Sequence, residues 1–159
     1  MATRITGGTL TVTITESLTM THSTTADNRT HSQTVTKTFT GIDQLNKRVL
    51  NLPNTNQVKI IDLGGTAASA PGTFLRSAVE YIRITNLDDT NGVAVILEDT
   101  GADTAAILVD ADASLLLTDT QIEAFTNGSA FSSFSDIDEI FLKAVSANTQ
   151  VEVVVATTA

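Results

Sequence analysis

Between Glu80 and Glu98 apolar and polar residues alternate with a period of two, and that alternation restricts the segment to β-structure. Ile82 and Ile84 form one face against Tyr81, Arg83 and Thr85 on the other. Val93, Val95 and Leu97 take the inward face of a second strand. The polar stretch Leu87-Asp-Asp-Thr-Asn-Gly92 between them holds an Asn-Gly pair, which accepts positive φ at low cost. The segment is therefore predicted to be a β-hairpin at the centre of an all-β, antiparallel sandwich.

The same grammar recurs along the chain. Leu10, Val12 and Ile14 alternate with Thr9, Thr11, Thr13 and Thr15, and Val35, Lys37 and Phe39 alternate with Thr34, Thr36 and Thr38. Fifteen of the first forty residues are Thr, so residues 1–40 form a Thr-rich N-terminal β-ribbon or arm. A two-stranded ribbon is marginal in water, so it must lie on the main domain or on a partner. Residues 41–159 form the sandwich. Gly41 to Leu52 fits a strand ending at Pro53, with Ile42, Leu45 and Val49 also fitting a helical spacing. Val58 to Ile61, Thr104 to Val109 and Ala113 to Leu117 follow as strands, and Ile137 to Val145 with Gln150 to Ala156 make a C-terminal hairpin. Gly64 to Thr73 is rich in small residues and breakers, hence a loop. At most one short helix is expected, at Thr118 to Phe125, where Thr118 with Gln121 and Thr120 with Glu123 match nested capping boxes. Nine or ten strands and almost no helix describe a sandwich or jelly roll.

Composition decides what holds the sandwich together. Of 159 residues 42% are hydrophobic but only 4% aromatic, so the core is aliphatic. Without cysteine there is neither a disulfide nor a thiolate metal site. Three strands carry apolar residues on both faces: Ile107-Leu108-Val109, Leu115-Leu116-Leu117 and Val153-Val154-Val155. A simple two-layer sandwich leaves one face of each strand wet. The second faces are covered either by the helix and loops or by other copies of the chain; the expectation is copies, as a homotrimer.

Charge narrows the partners. Net charge is −9, yet residues 1–60 carry six basic side chains (Arg4, Arg29, Lys37, Lys47, Arg48, Lys59) against three acidic ones, Glu16, Asp27 and Asp43. The remainder is strongly acidic and repels phosphate backbones, which argues against nucleic acid. No run of residues is long and apolar enough to span a bilayer as a helix, and Met1-Ala-Thr-Arg-Ile-Thr lacks the apolar run of an export signal, so synthesis in the cytoplasm without conventional export is expected.

No catalytic constellation emerges. His22 and His31 lie in the Thr-rich ribbon without an acid partner, no Gly-x-Ser-x-Gly elbow occurs, and Gly64-Gly65 is not followed by the Lys of a phosphate-binding loop. Asn28-Arg-Thr30 and Asn127-Gly-Ser129 match the glycosylation acceptor only formally. Asp88-Asp89, Asp110-x-Asp112 and Asp136-x-Asp138-Glu139 are oxygen-rich, but none has EF-hand spacing and loop Asp is ordinary turn chemistry. The chain is expected to be no enzyme and to use no cofactor.

Four stretches, Arg4-Ile-Thr-Gly-Gly-Thr-Leu-Thr-Val-Thr-Ile-Thr-Glu-Ser-Leu18, Tyr81-Ile-Arg-Ile-Thr-Asn-Leu-Asp88, Ala113-Ser-Leu-Leu-Leu117 and Ile140-Phe-Leu-Lys-Ala-Val-Ser-Ala-Asn-Thr-Gln-Val-Glu-Val-Val-Val-Ala156, give the chain its character. In these it resembles the small β-sandwich virion proteins of tailed bacteriophages, of the capsid decoration or cement type. The resemblance implies a trimer on the outer capsid surface, contact with the major capsid protein and no enzymatic site; it assigns no residue a role. Combined with the charge asymmetry, it makes Arg4, Arg29, Lys37, Lys47 and Arg48 the candidate capsid contacts. Another virion component (a head-fibre base, tail or minor shell protein) and a carbohydrate-binding module are the alternatives.

Overall fold

The computed structural model describes residues 7–20, 29–64, 72–118 and 136–158. Among them are ten strands: β1 (Gly8–Met20), β2 (Arg29–Ile42), β3 (Gln44–Leu52), β4 (Val58–Asp62), β5 (Val79–Asn86), β6 (Val93–Asp99), β7 (Thr104–Val109), β8 (Ser114–Thr118), β9 (Ile137–Ala144) and β10 (Thr149–Thr157). The ambiguous segment Gly41 to Leu52 is β-structure but not one strand: Gly41 and Ile42 end β2, and Gln44 to Leu52 form β3. No helix among the described residues is long and apolar enough to cross a membrane. The predicted helical turn at Thr118 to Phe125 lies, after Thr118, outside the described residues, as do both glycosylation-like asparagines, His22 and most of the Gly64 to Thr73 loop.

Two antiparallel sheets form the sandwich, in the orders β3-β10-β5-β8 and β4-β9-β6-β7. The pairs β3·β10, β4·β9, β5·β8 and β6·β7 are nested one inside the next. The chain from β3 to β10 thus behaves as one long ribbon, doubled back at the β6–β7 turn and wound into a barrel-like sandwich. That is jelly-roll topology.

Nesting corrects two expectations. The strands β5 and β6 exist, but they lie in opposite sheets and do not form a hairpin; β9 and β10 are separated in the same way. An apolar face can be buried by a strand across the core as well as by one beside it, and alternation cannot tell the two apart. The Leu87–Gly92 stretch is a crossover, and neither Asn91 nor Gly92 takes positive φ. What turns the chain there is Asn86, whose side chain is buried. Its Nδ2 donates to the carbonyls of Asn91 (2.7 Å) and Asp110 (2.9 Å), and its Oδ1 accepts the Asp88 N–H at 3.1 Å. One amide therefore ties the β5–β6 crossover to the β7–β8 crossover.

The hairpin that does form within the sandwich is β6–β7. Its turn is held by Asp99, whose Oδ1 accepts the N–H groups of Gly101 (2.8 Å) and Asp103 (2.9 Å). Between the sheets lies an aliphatic core that includes Ile82, Ile84, Val93, Val95, Ile140, Leu142, Val151, Val153 and Val155. Each such side chain contributes about 1.5–3 kcal/mol by leaving water. At β4 the register slips between Lys59 and Ile61, and this bulge lets the consecutive Ile60 and Ile61 both enter the core.

A third layer completes the fold. The β1–β2 hairpin lies on the outer face of the β3-β10-β5-β8 sheet, where Phe39 and Ile42 cluster with Tyr81, Val154 and Ala156, supported by Leu10, Val12 and Leu116. Val154 and Leu116, two of the outward residues on doubly apolar strands, are thus covered by the chain's own ribbon rather than by another copy. On the edge strand β7, Ile107 and Leu108 remain exposed.

Candidate interaction surface

The hairpin has two unlike faces, fixed by its register. On one, hydroxyl residues oppose each other along its length: Thr9 with Thr40, Thr11 with Thr38, Thr13 with Thr36, Thr15 with Thr34, Ser17 with Ser32 and Thr19 with Thr30. The Oγ1 atoms of Thr13 and Thr36, and of Thr15 and Thr34, are 3.4 Å apart. Such cross-strand pairs contribute roughly 0.2–1 kcal/mol each, which stiffens a ribbon that has no core of its own. The other face pairs Leu10 with Phe39, Val12 with Lys37, Ile14 with Val35, Glu16 with Gln33 and Leu18 with His31.

Glycines at the root seat the second face on the sheet. Gly41 is the extra residue where the register slips between Gly8 and Thr9, and its φ of 76° is the left-handed geometry of a Gly bulge. Gly8 lies so close to β2 that a Cβ there would sit 2.7 Å from the Ile42 carbonyl oxygen. Bent at this point, β2 runs through Ile42 to Asp43, whose N–H donates to the Thr157 carbonyl at 2.9 Å, and the chain enters β3. Lys37 Nζ sits 5.1 Å from the Phe39 ring centroid, a cation–π contact. Burial pushes the Tyr81 hydroxyl above its ordinary pKa.

Among the described residues, the root is covered and the end is not. Farther along the same face Ile14, Leu18 and Val35 are 48%, 55% and 55% exposed. Beneath β1 a cleft of about 390 Å³ separates Leu10 and Val12 from Leu45, Lys47 and Arg83. Leu45 and Val49 on the outer face of β3 are exposed, and between them Lys47 reaches Glu152 Oε2 at 2.7 Å. Arg83 also binds Glu152, so one carboxylate bridges two cations and is held below the usual glutamate range by Lys47 first and Arg83 second.

Comparison with protein-family models and with curated proteins finds no match for this chain.

The five candidate basic contacts do not form one patch. Arg4 lies outside the described residues, and so does the side chain of Arg29 at the start of β2. Lys37 is exposed beside the hairpin root, and Lys47 is exposed on β3. Arg48 lies on the opposite face of β3 from Lys47 and is half-buried at the sandwich edge, where its Nη2 donates to the Ile60 carbonyl at 2.9 Å and burial lowers its pKa. Period two on β3 makes this unavoidable, since Lys47 and Arg48 are neighbours and take opposite faces.

Two of the three acidic clusters are engaged by the fold itself. Asp88 Oδ1 accepts the N–H groups of Thr90 (2.9 Å) and Asn91 (2.7 Å), which hold its carboxyl below the ordinary range. Asp138 receives Arg76 at 2.8 Å and Glu139 receives Lys59 at 2.9 Å. Among the described residues no group of three or more His, Cys, Asp or Glu gathers at metal-binding distance. Sequence reasoning missed the junction of Phe39 with Tyr81, although Tyr81, the only Tyr in the chain, falls on the outward face of its strand. An aromatic at such a position was the available signal that something covers that face.

Proposed function

We propose that this protein is a non-enzymatic structural component of a phage particle, decorating or cementing the capsid shell as an oligomer, a trimer on the expectation above. The observation that carries the reading is the bare apolar face at the end of the hairpin. Ile14, Val35 and Leu18 stand exposed on one face of an element that extends beyond the sheet, and exposed large apolar residues gathered on one face mark an interaction site. Two further supports are general. Jelly rolls recur in viral shells, though they also serve lectins and other classes, so this is analogy of fold alone. Asp88 and Asp99 hold turns, and Asp138 and Glu139 pair with Arg76 and Lys59. The major capsid protein is the partner implied by the resemblance, met through exposed basic side chains such as Lys37, while Arg48 lies half-buried on the face of β3 opposite Lys47.

The test begins with the DNA flanking the gene and ends with the particle. Capsid and portal genes beside it, and a band for this chain in gradient-purified heads probed with antibody, are the expected result. A band confined to tails assigns it to another virion component. Particles that lack the chain altogether overturn the reading.

A further inference from the structure

We propose that the overhanging end of the β1–β2 hairpin docks on the outer face of β3 in a second copy of this chain, joining copies head to tail. The proposal rests on the assembly reading above and names the partner and both surfaces.

The two surfaces match residue for residue. On β1, Ile14, Glu16 and Leu18 stand at alternate positions, apolar-acidic-apolar, and all three are exposed. On β3, Leu45, Lys47 and Val49 stand at alternate positions, apolar-basic-apolar, and these too are exposed. Alternate residues of any strand recur at about 6.8 Å, so when one strand lies over the other both apolar pairs and the opposite charges coincide. Because each triplet is symmetric about its charge, the match holds for either strand direction. The apolar pairs supply the burial, and the charge pair sets the register.

The chain's own hairpin cannot make this contact. Its β1 strand begins beside β3, where Leu10 and Val12 share a cleft with Leu45 and Lys47. It then crosses the sheet, so that Ile14 lies with Leu116 and Thr118 at the β8 side. Thr15 to Met20 continue outward for about 20 Å, carrying Glu16 and Leu18 away from their own Lys47. The contact is of a kind the molecule already uses, since the root of the same hairpin face covers the neighbouring part of the same sheet. A second copy's hairpin laid along β3 extends that cover across Leu45 and Val49. Donor and acceptor patches differ, so the contact is heterologous and either closes into a ring, such as the trimer, or runs on as a filament.

The experiment exploits the absence of cysteine in the chain. Leu18→Cys and Val49→Cys both fall at exposed positions that the monomer's fold does not need. Mild oxidation of the double variant is expected to give reducible dimers and higher species on a gel, while neither single variant does. Absence of cross-linking in the double variant, or equal cross-linking by Leu18→Cys alone, overturns the contact. Light scattering supplies the second reading: Glu16→Lys, which leaves the Lys47–Glu152 pair intact, should shift the oligomer to monomer. An oligomer indifferent to it overturns the contact. A wild-type monomer that still bands with phage heads also overturns it, and leaves the particle role standing. A cross-linked ladder from a protein absent from particles supports the contact while the particle role falls.

Discussion

The ring of Phe39 lies 5.8 Å from that of Tyr81, centroid to centroid and inclined at 52°, and this pair joins the N-terminal hairpin to the sandwich. Tilted aromatic pairs at this separation add about 0.5–1.5 kcal/mol to the area they bury. Both rings are nearly sealed from solvent, at 5% exposure each, although neither belongs to the core between the two sheets. The described residues therefore form two hydrophobic centres of unequal size, and the smaller one holds a single supersecondary unit in place.

Truncating the smaller centre should release that unit selectively. Phe39→Ala is expected to cost about 3 kcal/mol of hairpin docking, at the low end for a buried Phe because the cluster is small. Amide hydrogen exchange is the measurement: protection should fall across β1 and β2 and persist in β9 and β10. Equal loss in all four strands would show that the hairpin and sandwich unfold as one.

The buried amide of Asn86 predicts a different pattern. Asn86→Ala deprives the Asn91 and Asp110 carbonyls of their donor and leaves the Asp88 N–H without its side-chain acceptor. A loss of about 3 kcal/mol is expected, since each buried group left unsatisfied costs roughly 1–3 kcal/mol. Urea denaturation followed by circular dichroism checks it; a loss below 1 kcal/mol would mean that the two crossovers hold without this tie.

The two glycines at the hairpin root should respond unequally to alanine. At Gly41 nothing obstructs a methyl group, so Gly41→Ala carries only the left-handed backbone penalty of about 1–2 kcal/mol. At Gly8 the added Cβ meets the backbone oxygen of Ile42, which cannot rotate away. Gly8→Ala should therefore lower the melting temperature of the hairpin layer more than Gly41→Ala, as read by thermal melts of the two variants side by side.

Acid should loosen the outer face of the β3-β10-β5-β8 sheet. Glu152 is held below its ordinary value near 4.5 by Lys47 and Arg83, and Asp88 below 3.8 by the Asn91 and Thr90 amides. A depressed folded pKa contributes stability that is present above the unfolded value and lost as the pH falls through the folded one. Glu152→Gln removes one such contribution. The urea midpoint of the variant should fall less steeply below about pH 4.5 than that of the wild type, with Asp88 supplying the residual slope.

Much of the secondary structure was legible from alternation, because the face a residue takes on a strand is set by its immediate neighbours. Thr104 to Val109 and Ile137 to Ala144 needed no distant information to be recognised as strands. The candidate surface was only half legible. Its residues lay in plain view, but Lys47 and Arg48 parted to opposite faces, and the root and end of the hairpin carried the same pattern with opposite fates. Leu10 and Ile14 look alike in sequence; one is tucked against the sheet and the other is bare.

Sequence by itself determined that this chain folds as an aliphatic, almost purely β protein with a hydroxyl-lined ribbon at its start, since period and residue type act within a few positions. Tertiary structure alone decided that β5 and β6 lie in opposite sheets, that β3 pairs with β10, and that Tyr81 receives Phe39. Those outcomes depend on which buried faces meet, and a pattern of alternation specifies that a face is to be buried without specifying its partner.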